Sequence, residues 1–343
     1  MDVDSKLQTA GKGNLSLSWA DKEQNMKALT SLLACPRCKK SLKTVGEDMA
    51  CPTCAVSFRI LRGIPRFVPH ENYADSFGLQ WNRFAKTQID SALGSNRSRD
   101  RFLYETLWDE SRLKGKLVLD AGCGSGRFSE IALDLGARLI AIDYSSAVDA
   151  ASANLSSDSL LIAQGDLADL PLPGESLDFF YCIGVLQHTK SPEKIVAELL
   201  RCLKPGGEMT LTFYENSSWH VRLYSKYIVR PFTKRIPNKL LLSLIDHSSW
   251  IWFPITSFLF RLPRPIPRIL RFIIPIANYV EFSYSNTRDA RAEAILDTFD
   301  MLSPTYDKPI KKSEILKWVY DSGIQVQRLK AKSNPGTMRF QRV

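Results

Sequence analysis

The chain has 343 residues, with 46 Lys plus Arg against 36 Asp plus Glu and a formal net charge of +10. Hydrophobic residues make up 44% and charged residues 24%, which excludes a mostly disordered chain and leaves room for one elaborated domain or two to three small ones. The positive excess points to an anionic partner (nucleic acid, an acidic membrane surface or a phosphorylated substrate), and the odd count of seven Cys argues against a fully paired disulfide framework.

Residues 1–28 are polar, mixed in charge and without apolar periodicity, so they read as a disordered tail. They contain no apolar core of a secretion signal, and no apolar run in the chain reaches the roughly 18 residues of a membrane span. A cytoplasmic address is therefore expected, where thiols stay reduced and paired Cys tend to bind metal.

Residues 29–70 hold Cys35-Pro36-Arg37-Cys38 and Cys51-Pro52-Thr53-Cys54, two CPxC turns with 12 residues between them. Zinc takes four soft ligands in a tetrahedron, and two such turns deliver four thiolates. With Cys35, Cys38, Cys51 and Cys54 as ligands no coordination position stays open, so the expected Zn2+ is structural. Strands are expected at 57–61 and 64–68, on either side of the Gly63 turn. A module this small lacks a core of its own, so the metal supplies much of its folding energy. With the stretches Leu32 to Cys38 and Phe58 to Pro65, the module resembles the zinc ribbons that accompany some RNA methyltransferases and their activator subunits. The resemblance implies a methyltransferase neighbour and leaves open whether the ribbon touches RNA.

From 71 to 215, strand-like apolar runs alternate with helical patterns. Lys116 to Leu119 leads into Asp120-Ala121-Gly122-Cys123-Gly124-Ser125-Gly126, and a helical pattern starts near Arg127. Strand, glycine turn and helix together present backbone N–H groups and a positive helix end to a ligand. Leu139 to Asp143 is a second strand ending in an acid, a placement that suits ribose hydroxyls. A third strand is expected at 161–165, before Asp166-Leu167, and a fourth at 177–183, running into Gly184-Val185-Leu186-Gln187-His188. An amphipathic helix over 195–203 is then closed by Lys204-Pro205-Gly206-Gly207, ahead of a fifth strand at 208–214.

Taken in this order, these motifs resemble the class I S-adenosylmethionine-dependent methyltransferases, in particular the type 11 group. The resemblance implies a Rossmann-like α/β core of seven strands with S-adenosyl-L-methionine as cofactor. It assigns Asp120, Gly122, Gly124 and Gly126 to the loop around the methionine part, Asp143 to ribose, Tyr144 to the face of adenine and Asp166 and Leu167 to its edge. Ile183 is placed near the reacting methyl. Phe77, Gln80 and Trp81 fit either a lid over the cofactor or an amphipathic helix with core aromatics. His188 is the candidate base, or else a local hydrogen-bonding residue, with His220 and His247 as further candidates. The Asn/Asp-Pro-Pro-aromatic loop of adenine amino methylation is absent, since Ile183-Gly184-Val185-Leu186 stands in its place. Cys123, Cys182 and Cys202 read as small packing residues.

In the same pattern, a helix at 313–322 and strands at 324–329 and 337–343 complete the core, which returns at 296–343. The intervening 216–295 is a basic-aromatic insertion, expected to be a helical cap over the substrate. Its aromatics include Trp219, Tyr224, Tyr227, Phe232, Trp250, Trp252 and Phe258. Its cations include Arg222, Arg230, Lys234, Arg235, Lys239, Arg261, Arg264, Arg268 and Arg271, and its positive excess is about eight charges. Repeated Pro at 263, 265, 267 and 275 is expected to break it into short helices. Its apolar runs favour a small-molecule or lipid-linked acceptor and peripheral contact with an anionic membrane over RNA. Asp300, Tyr306 and Asp307 are candidate substrate contacts or part of a structured linker. The expected activity is methyl transfer to O or N of a small, glycan-like or lipid-associated metabolite. The alternatives are an RNA methyltransferase whose ribbon binds RNA, and a noncatalytic partner that binds S-adenosylmethionine.

Overall fold

The computed structural model describes residues 29–69, 72–216, 223–331 and 336–343; the tail expected at 1–28 lies outside them. Near the N-terminus, β1 (Lys43–Val45), β2 (Asp48–Cys51), β3 (Val56–Leu61) and β4 (Ile64–Pro65) form an antiparallel sheet in sequential order. The run expected at 64–68 is a strand only over its first two residues.

The main sheet has seven strands: β5 (Leu117–Ala121), β6 (Arg138–Asp143), β7 (Leu160–Gln164), β8 (Leu177–Ile183), β9 (Leu203–Thr212), β10 (Val326–Leu329) and β11 (Thr337–Arg342). Their spatial order is β10-β11-β9-β8-β5-β6-β7, with β11 antiparallel to both of its neighbours and the other pairs parallel. β5 and β7 are buried throughout, which is why they read as unbroken apolar runs rather than alternating ones. The strand order reverses between β5 and β8, and that reversal opens a crevice at the strand C-terminal ends.

The helices are α1 (Asp75–Arg83), α2 (Arg97–Thr106), α3 (Arg127–Asp134), α4 (Ala147–Asn154), α5 (Pro192–Cys202), α6 (Ser225–Thr233), α7 (Asn238–Leu259), α8 (Ile266–Ile273), α9 (Thr287–Leu302) and α10 (Lys312–Asp321), with single turns at Asp90–Leu93 and Glu110–Leu113. Two expectations are corrected. α5 ends at Cys202 and β9 begins at once. Lys204 to Gly207 is an irregularity inside that strand, where Leu177 pairs with Leu203 but Phe179 pairs with Glu208. A Cβ on Gly207 would lie 2.9 Å from the Asp178 carbonyl, so only glycine fits that close approach. In the insertion the prolines do not leave only short pieces. α7 runs for 22 residues and carries Pro254 within it, while breaks do fall at the expected prolines, at Pro263 and Pro265 before α8 and at Pro275 after it. No helix among the described residues is long and apolar enough to cross a membrane.

The N-terminal sheet is fused to the main one. Arg66 bridges Gln164 in parallel, Phe67 N–H donates to Gln164 O at 2.8 Å, and Ala34 N–H donates to Pro171 O at 2.9 Å. Leu29, Leu33 and Met49 join the core cluster that contains Leu161, Leu167 and Leu170. Near the opposite side, Glu208 on β9 is 5% exposed and accepts from the Trp108 indole at 2.9 Å, from Arg112 and from Arg339 at 3.2 Å. Trp108 is itself 1% exposed. Trp108→Ala is expected to cost about 3–5 kcal/mol, from the cavity and the lost donor together, as read by urea denaturation. A cost below about 1 kcal/mol would mean that the site collapses freely around the deletion.

Candidate active site

The glycine loop grows directly out of β5. Gly122 N–H and Cys123 N–H both donate to Ile142 O, at 2.7 and 3.1 Å, so the loop is pinned to the end of β6. Gly122 has φ +89°, and a Cβ there would stand 2.4 Å from a Val185 methyl; only glycine permits both. Asp143, the last residue of β6, ties the two strand ends together. One carboxylate oxygen accepts from Gly124 N–H at 2.9 Å, the other from Ser145 N–H at 2.8 Å and its hydroxyl at 2.6 Å. Burial raises this carboxyl, and those same hydrogen bonds oppose the shift.

These groups open onto a cavity of about 720 Å3. Gly122, Gly124, Asp143, Tyr144, Asp166, Leu167, Ile183 and His188 all line it. Asp120 and Gly126 stand behind the wall. Asp120 is 3% exposed, accepts from the Ser129 hydroxyl at 2.6 Å, and is pushed up to about 7 by burial. Gly126 begins α3, where a Cβ would meet Leu155 at 2.6 Å. Both shape the loop from the rear and neither reaches the cavity.

The far side of the crevice is held from the N-terminal sheet. Arg66 donates to Asp149 at 2.7 Å and to Gln164 at 3.1 Å, and Gln164 donates in turn to Tyr144 O at 3.0 Å. The Tyr144 ring stacks on Tyr73 at 4.7 Å. Asp166 accepts from Ala168 N–H at 2.8 Å, which fixes the turn carrying Leu167, and burial raises its carboxyl. On α1, Phe77, Gln80 and Trp81 all line the cavity, and Trp81 also joins the cap's core cluster. α1 thus both lines the cavity and packs against the cap.

His188 is 7% exposed, between Phe77 and Tyr214 at 5.2 and 5.6 Å. Its Nδ1 is 3.1 Å from Tyr306 O. A carbonyl only accepts, so Nδ1 carries the hydrogen, and in the neutral imidazole Nε2 is then the acceptor. His247 is exposed on α7, with Nδ1 2.7 Å from Ser243 O and no place on the cavity wall. Trp219, His220 and Arg222 lie outside the described residues. Asp307 is taken up structurally: it is 8% exposed and pairs with Arg230 at 3.1 Å and Lys226 at 3.2 Å. Arg230 is itself buried, so two of the insertion's cations serve its own packing. Asp300 does line the cavity and accepts from Gln80 Nε2 at 3.0 Å.

Sequence reasoning passed over the wall opposite the glycine loop. Tyr214, Tyr279, Glu293 and Asp297 face the cavity, with Arg97, Arg101 and Arg127 around them. Burial, with Glu293 and Asp300 nearby, pushes the Asp297 carboxyl up to about 7. A signal was available: Glu293, Asp297 and Asp300 recur at i, i+4 and i+7, one stripe of a helix.

Away from this cavity, the Sγ atoms of Cys35, Cys38, Cys51 and Cys54 all lie within 4.8 Å of one another, with separations of 3.9 Å (Cys35 to Cys54) and 3.5 Å (Cys38 to Cys51). Thiolates about 2.3 Å from a tetrahedral zinc stand roughly 3.8 Å apart, so the four fit that ion and leave no open position. Cys182 and Cys202 are fully buried packing residues, and Cys123 is buried at the cavity wall.

Part of the chain is similar to known proteins. A family described as "Methyltransferase domain" matches residues 119–211, from β5 into β9 and less than half of the chain. A Mycolicibacterium smegmatis protein described as "Probable S-adenosylmethionine-dependent methyltransferase" is 35% identical over 109 residues, which cover 32% of this chain and 41% of that one. The mitochondrial ubiquinone biosynthesis O-methyltransferase of Schizosaccharomyces pombe is 32% identical over 143 residues, covering 38% of this chain and 52% of that one. A solved S-adenosylmethionine-dependent methyltransferase from Mesorhizobium loti is 14% identical, with TM-score 0.39, covering 67% of this chain and 93% of that chain. Residues 119–211 are thus similar to a methyltransferase domain, and the chain spans only about half the length of the curated relatives it matches.

The purified chain is expected to carry one equivalent of zinc by elemental analysis. Cys51→Ser is expected to lose the metal and to lower Tm, because Met49 and its neighbours are then held to the core less well. A metal-free protein with unchanged Tm would overturn the zinc assignment.

Proposed function

We propose that this chain transfers a methyl group from S-adenosyl-L-methionine to O or N of a small, glycan-like or lipid-associated metabolite. The observation that carries the reading is Asp143. It lines the cavity with both oxygens oriented by loop hydrogen bonds; Oδ1 is filled by the Ser145 N–H and hydroxyl, while Oδ2 accepts only from Gly124 N–H and keeps a lone pair for a ribose hydroxyl. Tyr144 and Leu167 flank the space for adenine, Asp166 accepts at its edge, and the backbone of Gly122 and Gly124 leaves room for the methionine part. The cofactor supplies a methyl already activated on a sulfonium. The residues' work is to align an acceptor behind that carbon and exclude water. Ile183 and Phe77 are the apolar groups on the wall that do the latter, and His188, with Nε2 free to accept, is one candidate for the acceptor's proton.

A lipid-associated acceptor is favoured over RNA by the outer surface of the insertion. Phe232, Ile251, Ile255, Phe258, Ile269 and Ile273 are exposed there, and α8 buries no residue. Lys234, Arg235, Lys239, Arg261, Arg264 and Arg268 are exposed beside them and have no carboxylate partner among the described residues. Apolar side chains ringed by unpaired cations suit the surface of an anionic bilayer. The S. pombe relative's quinone-pathway name agrees with a small lipid-like acceptor.

Incubation of cell extract with tritium-labelled cofactor tests the chemistry. Label is expected in the lipid or small-molecule pool, whereas label in RNA would support the RNA reading, and no label despite tight cofactor binding would leave a binding protein only. Asp143→Ala is expected to weaken cofactor binding between about tenfold and a hundredfold by calorimetry. In flotation assays the protein is expected to rise with phosphatidylglycerol-containing vesicles at low salt but not with pure phosphatidylcholine. The pair Phe258→Asp and Ile269→Asp is expected to abolish that rise without changing cofactor affinity. No flotation at low salt would rule out the membrane contact.

A further inference from the structure

The cavity is larger than its glycine-loop half, and its other half is built on α9. Glu293, Asp297 and Asp300 share one stripe of that helix and all line the wall. Their partners differ. Glu293 is held by both terminal nitrogens of Arg97, at 2.8 and 2.7 Å, and Asp300 receives the Gln80 amide at 3.0 Å. Asp297 has a long contact of 3.4 Å from Gln88 and the Tyr279 hydroxyl beside it. No cation among the described residues pairs with it directly. Arg127, whose charge opposes the rise of the Asp297 carboxyl, donates to the Ser98 hydroxyl at 2.8 Å and to Gln88 Oε1 at 2.7 Å. One wall group points independently to a ligand: Gln80 is 1% exposed, and its Oε1 has no hydrogen-bond partner. A buried carboxamide with one end satisfied and the other idle at a cavity wall is an acceptor that lacks its donor.

Resting on the methyl-transfer reading, we propose that Asp297 receives the proton of an acceptor hydroxyl as that oxygen takes the methyl group, with Tyr279 positioning the carboxylate and Gln80 Oε1 accepting a second hydroxyl or amino group of the same molecule. The acceptor is thus a polyhydroxylated or amino-bearing alcohol or phenol. The O–H bond breaks and its proton goes to Asp297. The oxygen's electron pair forms the O–C bond, and the C–S bond breaks with its pair passing to sulfur, which leaves a neutral thioether. A base works best with a proton affinity near the working pH. The groups that set this affinity come from every side: Glu293 and Asp300 from α9, Tyr279 from the segment before it, Arg127 from α3, and Tyr214 after β9, whose phenol is raised by burial and by Asp300, Asp307 and Asp297.

Two measurements test this. In the first, tritium transfer into the accepting extract fraction is followed from pH 6 to 9 for the wild type, Asp297→Asn, Asp297→Glu and His188→Gln. The wild-type rate is expected to rise through an inflection near 7, the Asn variant to fall by about a hundredfold or more, and the Glu variant to recover part of the loss. Cofactor affinity should stay within a few-fold throughout. The second needs no turnover. A carboxyl raised from 3.8 to about 7 in the fold makes the folded state bind the extra proton, so its contribution to stability is lost as pH rises from about 4 to about 7. Asp297→Asn should therefore gain Tm relative to the wild type over that window and hold the gain above it. Full transfer by Asp297→Asn, parallel loss of cofactor binding, or loss confined to His188→Gln would each overturn the proposal. A wild type that labels nothing would overturn the methyl-transfer reading itself.

Discussion

The crevice depends on one carboxylate. Asp143 stands at the C-terminal end of β6 and binds the glycine loop of β5 through Gly124 and its own following turn through Ser145. Beside it, the glycine loop is tied to β6 by the bonds from Gly122 and Cys123 to Ile142 O and to α4 by Asn154, which donates to Ser125 O. Placing a carboxylate in a buried site is unfavourable unless several donors meet it. Those donors are backbone and hydroxyl groups of the same two loops, so the charge and the loop conformation are mutually dependent. Glycine at position 122 follows, because a side chain there would strike Val185 from the loop after β8. Three strand ends are thus fitted to one another before any ligand arrives.

The N-terminal module belongs to the same arrangement. β7 is an edge of the main sheet, and an exposed parallel edge invites wrong pairing. Arg66 and Phe67 cover it, and Arg66 carries the contact onward through Gln164 to the backbone of Tyr144. The module itself is only a short sheet with four thiolates. Leu29, Leu33 and Met49 sit in the core of its neighbour, and a metal held by those thiolates would add the rest of its stability. An ion bound there would support the far wall of the crevice without touching it.

What was legible in the sequence follows from what each stretch must bury. β5, β6 and β8 are covered on both faces and end in Gly or Asp, so apolar runs with clear stops revealed them within a residue or two. The start of β9 was hidden, because Lys204 to Gly207 carries every local sign of a helix stop and a loop. Only pairing with β8 shows that it lies within a strand. The length of α7 was not legible because the prolines weighed as breaks, Pro263, Pro265, Pro267 and Pro275, all lie beyond it, and packing against α9 through Leu241, Ile245 and Phe299 holds its 22 residues together across Pro254. Asp307 looked available because its partners, Arg230 and Lys226, lie some 80 residues earlier in the chain. The acidic stripe of α9 was missed for a related reason. Three acids on a helix usually mark a solvated face, and only the fold turns that face inward.

α9 is therefore a two-faced helix with no wet side to spare. Ile295, Phe299 and Leu302 pack into the cap against α7, while Glu293, Asp297 and Asp300 look into the cavity. Helices in contact sit about 8–10 Å apart, so only one layer separates the cavity carboxylates from the outer face of α7, with its exposed Ile251, Ile255 and Phe258. If that outer face rests on lipid, an acceptor whose polar head reaches Asp297 can leave its apolar part near the bilayer. The same layer then has to keep water from the carboxylate, since a hydrated Asp297 would fall back toward its ordinary acidity and lose its grip on the proton. Apolar packing behind the acidic stripe is thus the condition for the proposed chemistry in front of it, and the exposed apolar face of α7 and the carboxylate of Asp297 are two sides of one packing problem.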